Sequence, residues 1–552
     1  MAVFAGRMMS CVSVMDVALC GHQVRVATEP GSAGNTMNNP DRRTFLYTTA
    51  GLAATTVCGS FGNKQATAAH AVSESEIPFQ TLTGVAALLR TRKLSSSELT
   101  AIMLKRIAAL DDTWNAYATV MTESAQASAK AADQELATGK YRGPLHGVPI
   151  GVKDLCYTRG VRTMGGCSVL QDFVPKYDAT VVKRLRSAGA VILGKLNLTE
   201  GAMAGYNRAL EVPVNPWNAG AWPGGSSSGS GVATSAGLAF GTLGSDTGGS
   251  IRFPSAACGV VGLKPTWGRV SRYGVLALAD SLDHVGPMTR SVSDAAVMLK
   301  AIAGHDTNDP TSLPDKVPDY MPTTGRLKGV RIGVDEKFIT QGVDPETASA
   351  VLASIDVLAD CGATIRKVTV PDLSEHVGHW NTLCQIEARL AHRKFYPKRR
   401  KEYGIWFRQF LDGGATPGTP ANENVRAEDY ARSHQHRLIC NGKVRGVFHG
   451  IDVLACPSQP FLPFPVTPES QYGPDAVAAA GDNWGKFTVP FDYNGAPTLS
   501  LPCGFSASGL PLSLQLVGRH LDERTICQVG FCFEQKTKWH TRRPPMKSGG
   551  GS

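Results

Sequence analysis

Residues 223–254 read PGGSSSGSGVATSAGLAFGTLGSDTGGSIRFP. A Gly/Ser-rich run usually makes a flexible linker. Here there are two such runs, Gly224-Gly225-Ser226-Ser227-Ser228-Gly229 and Asp246-Thr247-Gly248-Gly249-Ser250. The stretch between them is small and apolar and ends in residues 238–243. A linker does not embed itself in such a core. The two runs therefore read as backbone shaped around a reacting group.

Outward from this stretch, helical and strand-like patterns alternate. Ser95 and Glu98 have the spacing of a capping box, opening a helix with Leu99, Ile102, Met103, Ile107 and Leu110 on one face. Asp344-Pro345-Glu346 opens another helix, with Pro at its first position. Strand-like apolar runs cover 190–193, 330–334, 365–370, 451–455, 498–501 and 512–517. This alternation predicts an α/β fold around a mostly buried mixed sheet. One large domain over 78–543 is expected, with about 310–445 as a helical insertion or lid.

Composition narrows the function classes. Of the 552 residues 42% are hydrophobic and 18% charged, enough for a sizeable core and against global disorder. The net charge of +10 is scattered. Its densest cluster, Lys398-Arg399-Arg400-Lys401, reads as a solvated helix face, so no nucleic-acid partner is expected. The thirteen Cys show no CxxC pair or zinc spacing and read as free structural thiols. His376 and His379 stand three apart, His434 and His436 two apart, with no HExxH-like carboxylate pattern. Neither a metal nor a cofactor is expected.

Residues 41–58 read DRRTFLYTTAGLAATTVC. Arg42-Arg43 before a short, mild apolar stretch resembles a twin-arginine export signal, ending in small residues near Ala66-Thr67-Ala68 or Ala69-His70-Ala71. The stretch is too short and polar for a stable membrane anchor. The signal is placed at 37–71, with 1–36 an over-extended start or disordered arm and 546–552 a disordered tail. Export to the periplasm or medium is expected; a cytoplasmic location is the alternative.

Three readings of the glycine-serine loops compete. Phosphate binding needs GxxxxGK[ST] or GxGxxG after a strand, and neither is present. A nucleophile elbow, GxSxG, is matched by residues 225–229 with Ser227 central. The match arises easily in a Ser/Gly-rich run, and neither His520 nor His540 sits in a telling context. The third reading adds Lys153, in GPLHGVPIGVKDL (143–155), at the end of an apolar run. A desolvated lysine has a depressed pKa and can serve as a neutral general base.

With these residues in view, the chain resembles the amidase signature family. The likeness lies in GPLHGVPIGVKD (143–154), GAVILGKLNLTE (189–200), NPWN (215–218), PGGSSSGS (223–230), GSDTGGSIRFPSAACGVVGLKPTWGRVSRYG (244–274) and GAPTLSLPCGF (495–505). It implies an α/β/α layered fold with a central mixed sheet. It also implies a Ser–cis-Ser–Lys triad: Lys153 as base, Ser226 after a cis peptide bond, and Ser250 as nucleophile. Ser228 departs from the family, which usually has Gly there. The N–H groups of Thr247, Gly248, Gly249 and Ser250 are the expected oxyanion donors. Ser227, Asp246 and Arg252 are expected in support, and Met203 and Tyr206 against the substrate.

The implied function is hydrolysis of a small-molecule carboxamide, aryl amide, carbamate or ester through an acyl-enzyme on Ser250. The alternatives are an enzyme like the amidotransferase A-subunit, working with partner subunits, or an inactive binding homologue. A homodimer stays open as the assembly.

Overall fold

The computed structural model describes residues 73–414, 425–473 and 478–545. The arm at 1–36, the export signal at 37–71 and the tail at 546–552 lie outside the described residues.

Eleven strands form one mixed sheet. They are β1 (Tyr117–Val120), β2 (Pro149–Lys153), β3 (Val191–Leu196), β4 (Gly241–Asp246), β5 (Val261–Lys264), β6 (His284–Thr289), β7 (Arg331–Val334), β8 (Thr364–Lys367), β9 (Val453–Pro457), β10 (Thr498–Phe505) and β11 (Pro511–Gly518). Their order is β1-β3-β2-β4-β6-β5-β10-β11-β9-β7-β8. β3, β2 and β4 run parallel, as do β9, β7 and β8, while the strands between β4 and β9 pair antiparallel. Every residue of β2, β3, β4, β9 and β11 is buried, so both faces of the sheet are covered there.

The local signals explain the helices. Ser95 accepts from Glu98 N at 3.1 Å, and Glu98 Oε2 accepts from Ser95 N at 2.9 Å, closing the capping box of helix Ser96–Trp114. Asp344 caps helix Pro345–Asp360 by accepting from Thr347 N at 2.9 Å.

The six strand-like runs all fall on sheet strands. The 365–370 run overshoots β8, an edge strand whose residues are largely exposed and whose apolar pattern is correspondingly weak. The reading of 310–445 as a helical insertion needs correction. β7 and β8 belong to the central sheet, so the helical part begins only with helix Glu375–His392 and continues through Ile405–Asp412 and Ala427–Val447.

Two features of this frame position the site. Parallel strands β2 and β4 are hydrogen-bonded neighbours, Val152 pairing with Leu243, and both end at the same edge in Lys153 and Asp246. Ligand sites in sheets with parallel strands form at such carboxyl ends. Each glycine-serine loop then turns directly into a helix, Ser228–Ser235 and Arg252–Cys258.

Candidate active site

Lys153 is fully buried, yet among the described residues its amine meets no carboxylate. Nζ lies 2.7 Å from Ser226 Oγ, 2.9 Å from Ser227 Oγ and 2.9 Å from Ser245 Oγ. Burial pushes its pKa down to about 7, against a smaller upward pull from Asp246. The adjacent Asp154 does not compensate it. That carboxylate pairs with Lys195, Oδ1 to Nζ at 3.0 Å, and its Oδ2 accepts from Met164 N at 2.9 Å.

The hydroxyls around Lys153 are not equivalent. Ser227 Oγ donates to Ser245 O at 3.1 Å and accepts from Ser245 N at 3.2 Å, so it ties the first loop to β4. Its N–H donates to Ser250 O at 3.2 Å, joining the two loops. Ser226 follows a cis peptide bond from Gly225 and is also fully buried. A neutral amine has two N–H groups and one lone pair. Three hydroxyl neighbours are satisfied together only if one donates to nitrogen. Ser227 already spends its proton on a carbonyl; Ser226 is the nearest of the three and is free to be that donor.

Ser250 is partly exposed and borders the pocket with Thr247 and Gly248. Among the described residues its hydroxyl makes no hydrogen bond, so no contact joins it to Ser226 in this state. Catalytic hydrogen bonds often tighten only when substrate binds.

The expected set of oxyanion donors needs one correction. Gly249 N donates to Asp246 Oδ1 at 2.6 Å, so that N–H is already taken. Among the described residues the N–H groups of Thr247, Gly248 and Ser250 make no such bond. The two glycines are required by space. A Cβ on Gly248 would stand 2.5 Å from the Trp380 ring, and one on Gly249, at φ +135°, 2.3 Å from the Phe253 ring.

Asp246 organises the second loop. Besides Gly249 it accepts from Ile251 N at 2.9 Å, and from Arg252 Nε at 3.0 Å and Nη2 at 2.9 Å. Burial alone would raise the Asp246 carboxyl, but Arg252 holds it well below the usual carboxylate range. Arg252 also donates to Asp492 and to Thr488 O, the latter at 3.0 Å. All three side chains are fully buried, and burial pushes the Asp492 carboxyl well up.

Several contributors have no counterpart in the sequence reading. Asp283 accepts from Thr247 Oγ1 at 2.6 Å and from Leu278 N at 2.9 Å, and burial pushes its carboxyl up to about 7. Trp380 Nε1 donates to Thr247 O at 2.7 Å, covering the loop from helix Glu375–His392. These partners lie far along the chain and carry no local signal.

Met203 and Tyr206 both border the pocket. Much of its remaining wall is aromatic. Trp222 stacks on Phe464 at 4.8 Å, and Trp380 meets Trp484 edge-on at 5.4 Å. Phe253 and Phe461 complete it, and none of the described lining residues carries a charge.

Known proteins resemble this chain along most of its length. A family model described as Amidase matches residues 98–527. The chain belongs to the amidase signature family. It is 46% identical over 475 residues to the AmiD protein of Mycobacterium tuberculosis, which carries an amidase name, covering 86% of this chain and 98% of that one. It is 40% identical over 484 residues to the A-subunit of a glutamyl-tRNA(Gln) amidotransferase from a Roseiflexus species, covering 84% and 98%. The peptide amidase of Stenotrophomonas maltophilia superposes with a TM-score of 0.72 at 31% identity, covering 85% of this chain and 99% of that structure. The amidase signature protein described here is thus a hydrolase acting on amides.

The buried triad of Asp246, Arg252 and Asp492 yields a stability prediction. Arg252→Met strips the buried Asp246 carboxylate of its cation and Asp492 of its donor, and should cost about 3–5 kcal/mol. Urea unfolding at neutral pH measures it. A loss within the ~0–1 kcal/mol of a solvent-screened pair would contradict the arrangement.

Proposed function

We propose that the protein is a serine amidase in which Ser250 forms the acyl-enzyme and Ser226 relays its proton to Lys153. The observation that carries this reading is the buried Lys153 amine, held by serine hydroxyls and no carboxylate. An amide carbonyl is a poor electrophile and needs both an activated nucleophile and a stabilised oxyanion. Ser250 Oγ attacks the carbonyl carbon as its proton moves to Ser226 Oγ, and the Ser226 proton moves to Lys153 Nζ. The N–H groups of Thr247, Gly248 and Ser250 receive the developing oxyanion. The proton returns along the same path to the leaving nitrogen, the C–N bond breaks, and water then hydrolyses the ester on Ser250.

The substrate we infer is an uncharged amide with apolar or aromatic groups beside the scissile bond. The aromatic wall supports this, because an unpaired charge buried against it is costly. A zwitterionic amino-acid amide would bring an ammonium and a carboxylate to a wall without a counter-charge. The likeness to the amidotransferase therefore does not extend to our choice of substrate. We also propose that the chain is exported by the twin-arginine route, from Arg42-Arg43 and the weak apolar stretch that follows.

A fluorophosphonate probe separates the two serine readings. Mass spectrometry should find the adduct on Ser250, and Ser250→Ala should abolish it. Ser226→Ala should lower kcat by about 10²–10⁴-fold. Lys153→Ala should resemble it, because members of one relay are not additive. Ser227→Ala should cost less. An adduct on Ser227 with none on Ser250 would establish the nucleophile elbow instead.

Because the neutral amine is the active form, kcat/KM on a neutral anilide should rise with pH through about 7 and level off above it. A flat profile between pH 5 and 9 would remove Lys153 from the role of base. Free glutamine turned over faster than the anilide would overturn the substrate reading.

Replacing Arg42 and Arg43 together by Lys should trap unprocessed protein inside the cell. Equal exported amounts of both forms, measured by fractionation, would exclude the twin-arginine route.

A further inference from the structure

Away from the pocket, helices Glu375–His392 and Ala427–Val447 pack side by side and bring histidines together. The donor atoms of Glu375, His376 and His436 all lie within 4.8 Å of one another. His376 is fully buried, and among the described residues neither its Nδ1 nor its Nε2 has a hydrogen-bond partner. The nearest carboxylate oxygen, Glu375 Oε1, stands 3.7 Å from Nε2. His436 Nδ1 is likewise buried without a partner. The His379 ring stacks on His436 at 3.7 Å, and its own Nδ1 lies 3.1 Å from Ser433 Oγ, which fixes the His436 ring plane from one side. A buried imidazole normally has at least one partnered nitrogen. Here, among the described residues, neither nitrogen of His376 is partnered, and one nitrogen of each of His376 and His436 lies within 4.8 Å of a Glu375 oxygen.

We propose that Glu375, His376 and His436 bind one first-row transition-metal dication of the zinc class, clamping the two helices together. Two imidazoles and one carboxylate suit such an ion, and three protein ligands leave a coordination position for water. Glu375 is half exposed, which provides a path from solvent. The charged neighbour is Lys443, whose Nζ donates to Glu375 Oε1 at 2.7 Å and to Asp372 O at 3.1 Å. The ammonium competes with the ion for the same carboxylate, so Lys443 tunes affinity downward. The clamp bears on the active site through the helix it fixes. Trp380 follows His376 by one turn and holds Thr247 O. The role is structural, and no step of amide hydrolysis passes through the ion. The histidine pairs alone give no such indication in the sequence, because the ligands come from two helices that only folding brings together.

The test is a Co²⁺ titration of the full chain without a polyhistidine tag, followed by visible absorption. One equivalent should bind, with ligand-field bands of a four- or five-coordinate site and a rise in Tm that grows with Co²⁺ concentration. His436→Gln and Glu375→Gln replace residues that are not fully buried and should each weaken binding at least about tenfold, since even outer-shell changes cost ~10–100-fold. Lys443→Met should tighten it. Absence of stoichiometric binding, binding unchanged in both ligand variants, or a spectrum dominated by thiolate charge-transfer bands would overturn the proposal.

Discussion

The site depends on an amine withheld from both water and carboxylate. Lys153 ends an entirely buried strand, so its charged form loses hydration with no ion pair to replace it. Lys195, on the neighbouring strand β3, is equally buried but takes the Asp154 carboxylate that follows Lys153 in the chain. Through this assignment of one carboxylate, one lysine stays an ion-pair partner and the other is left among hydroxyls, as the proposed role of base requires. The serine hydroxyls around Lys153 then supply its hydrogen bonds.

The second constraint is the shape of the loop that ends in Ser250. Asp246 gathers N–H groups from Gly249 and Ile251 while Arg252 neutralises it, so the loop is folded around a buried ion pair. Asp283 and Trp380 fasten Thr247 from its side chain and its carbonyl. Among the described residues these contacts leave three backbone N–H groups, those of Thr247, Gly248 and Ser250, without a partner at the edge of an aromatic pocket. A pre-arranged set of donors of this kind needs no reorganisation when charge develops.

Much of this is legible in the sequence where the relevant residues are close together. The capping box at Ser95, the Asp344-Pro345 helix start and the two glycine-serine loops each act within a few residues, so pattern alone locates them. Lys153, Ser226 and Ser250 are recognisable because their motifs are short and contiguous. What pattern misses is longer in range or involves competition. Gly249 N–H looks like an oxyanion donor, although an Asp three residues earlier is well placed to take it in a turn. Asp283, Asp492 and the pocket tryptophans come from distant segments with no local period. β7 and β8 are visible as apolar runs, but their place in the central sheet rather than in an insertion is set by β9, far downstream.

The central claim is that Lys153 is neutral near physiological pH, and its ionisation can be observed directly. In protein carrying ¹³C at lysine Cε, NMR titration should show a resonance with a midpoint of about 7 that vanishes in Lys153→Met. Lys264, the other buried lysine with a lowered value, should titrate separately near 8 and survive that substitution. If the resonance lost in Lys153→Met instead titrates near the ordinary 10.5, the amine is charged at rest and the account of the base is wrong.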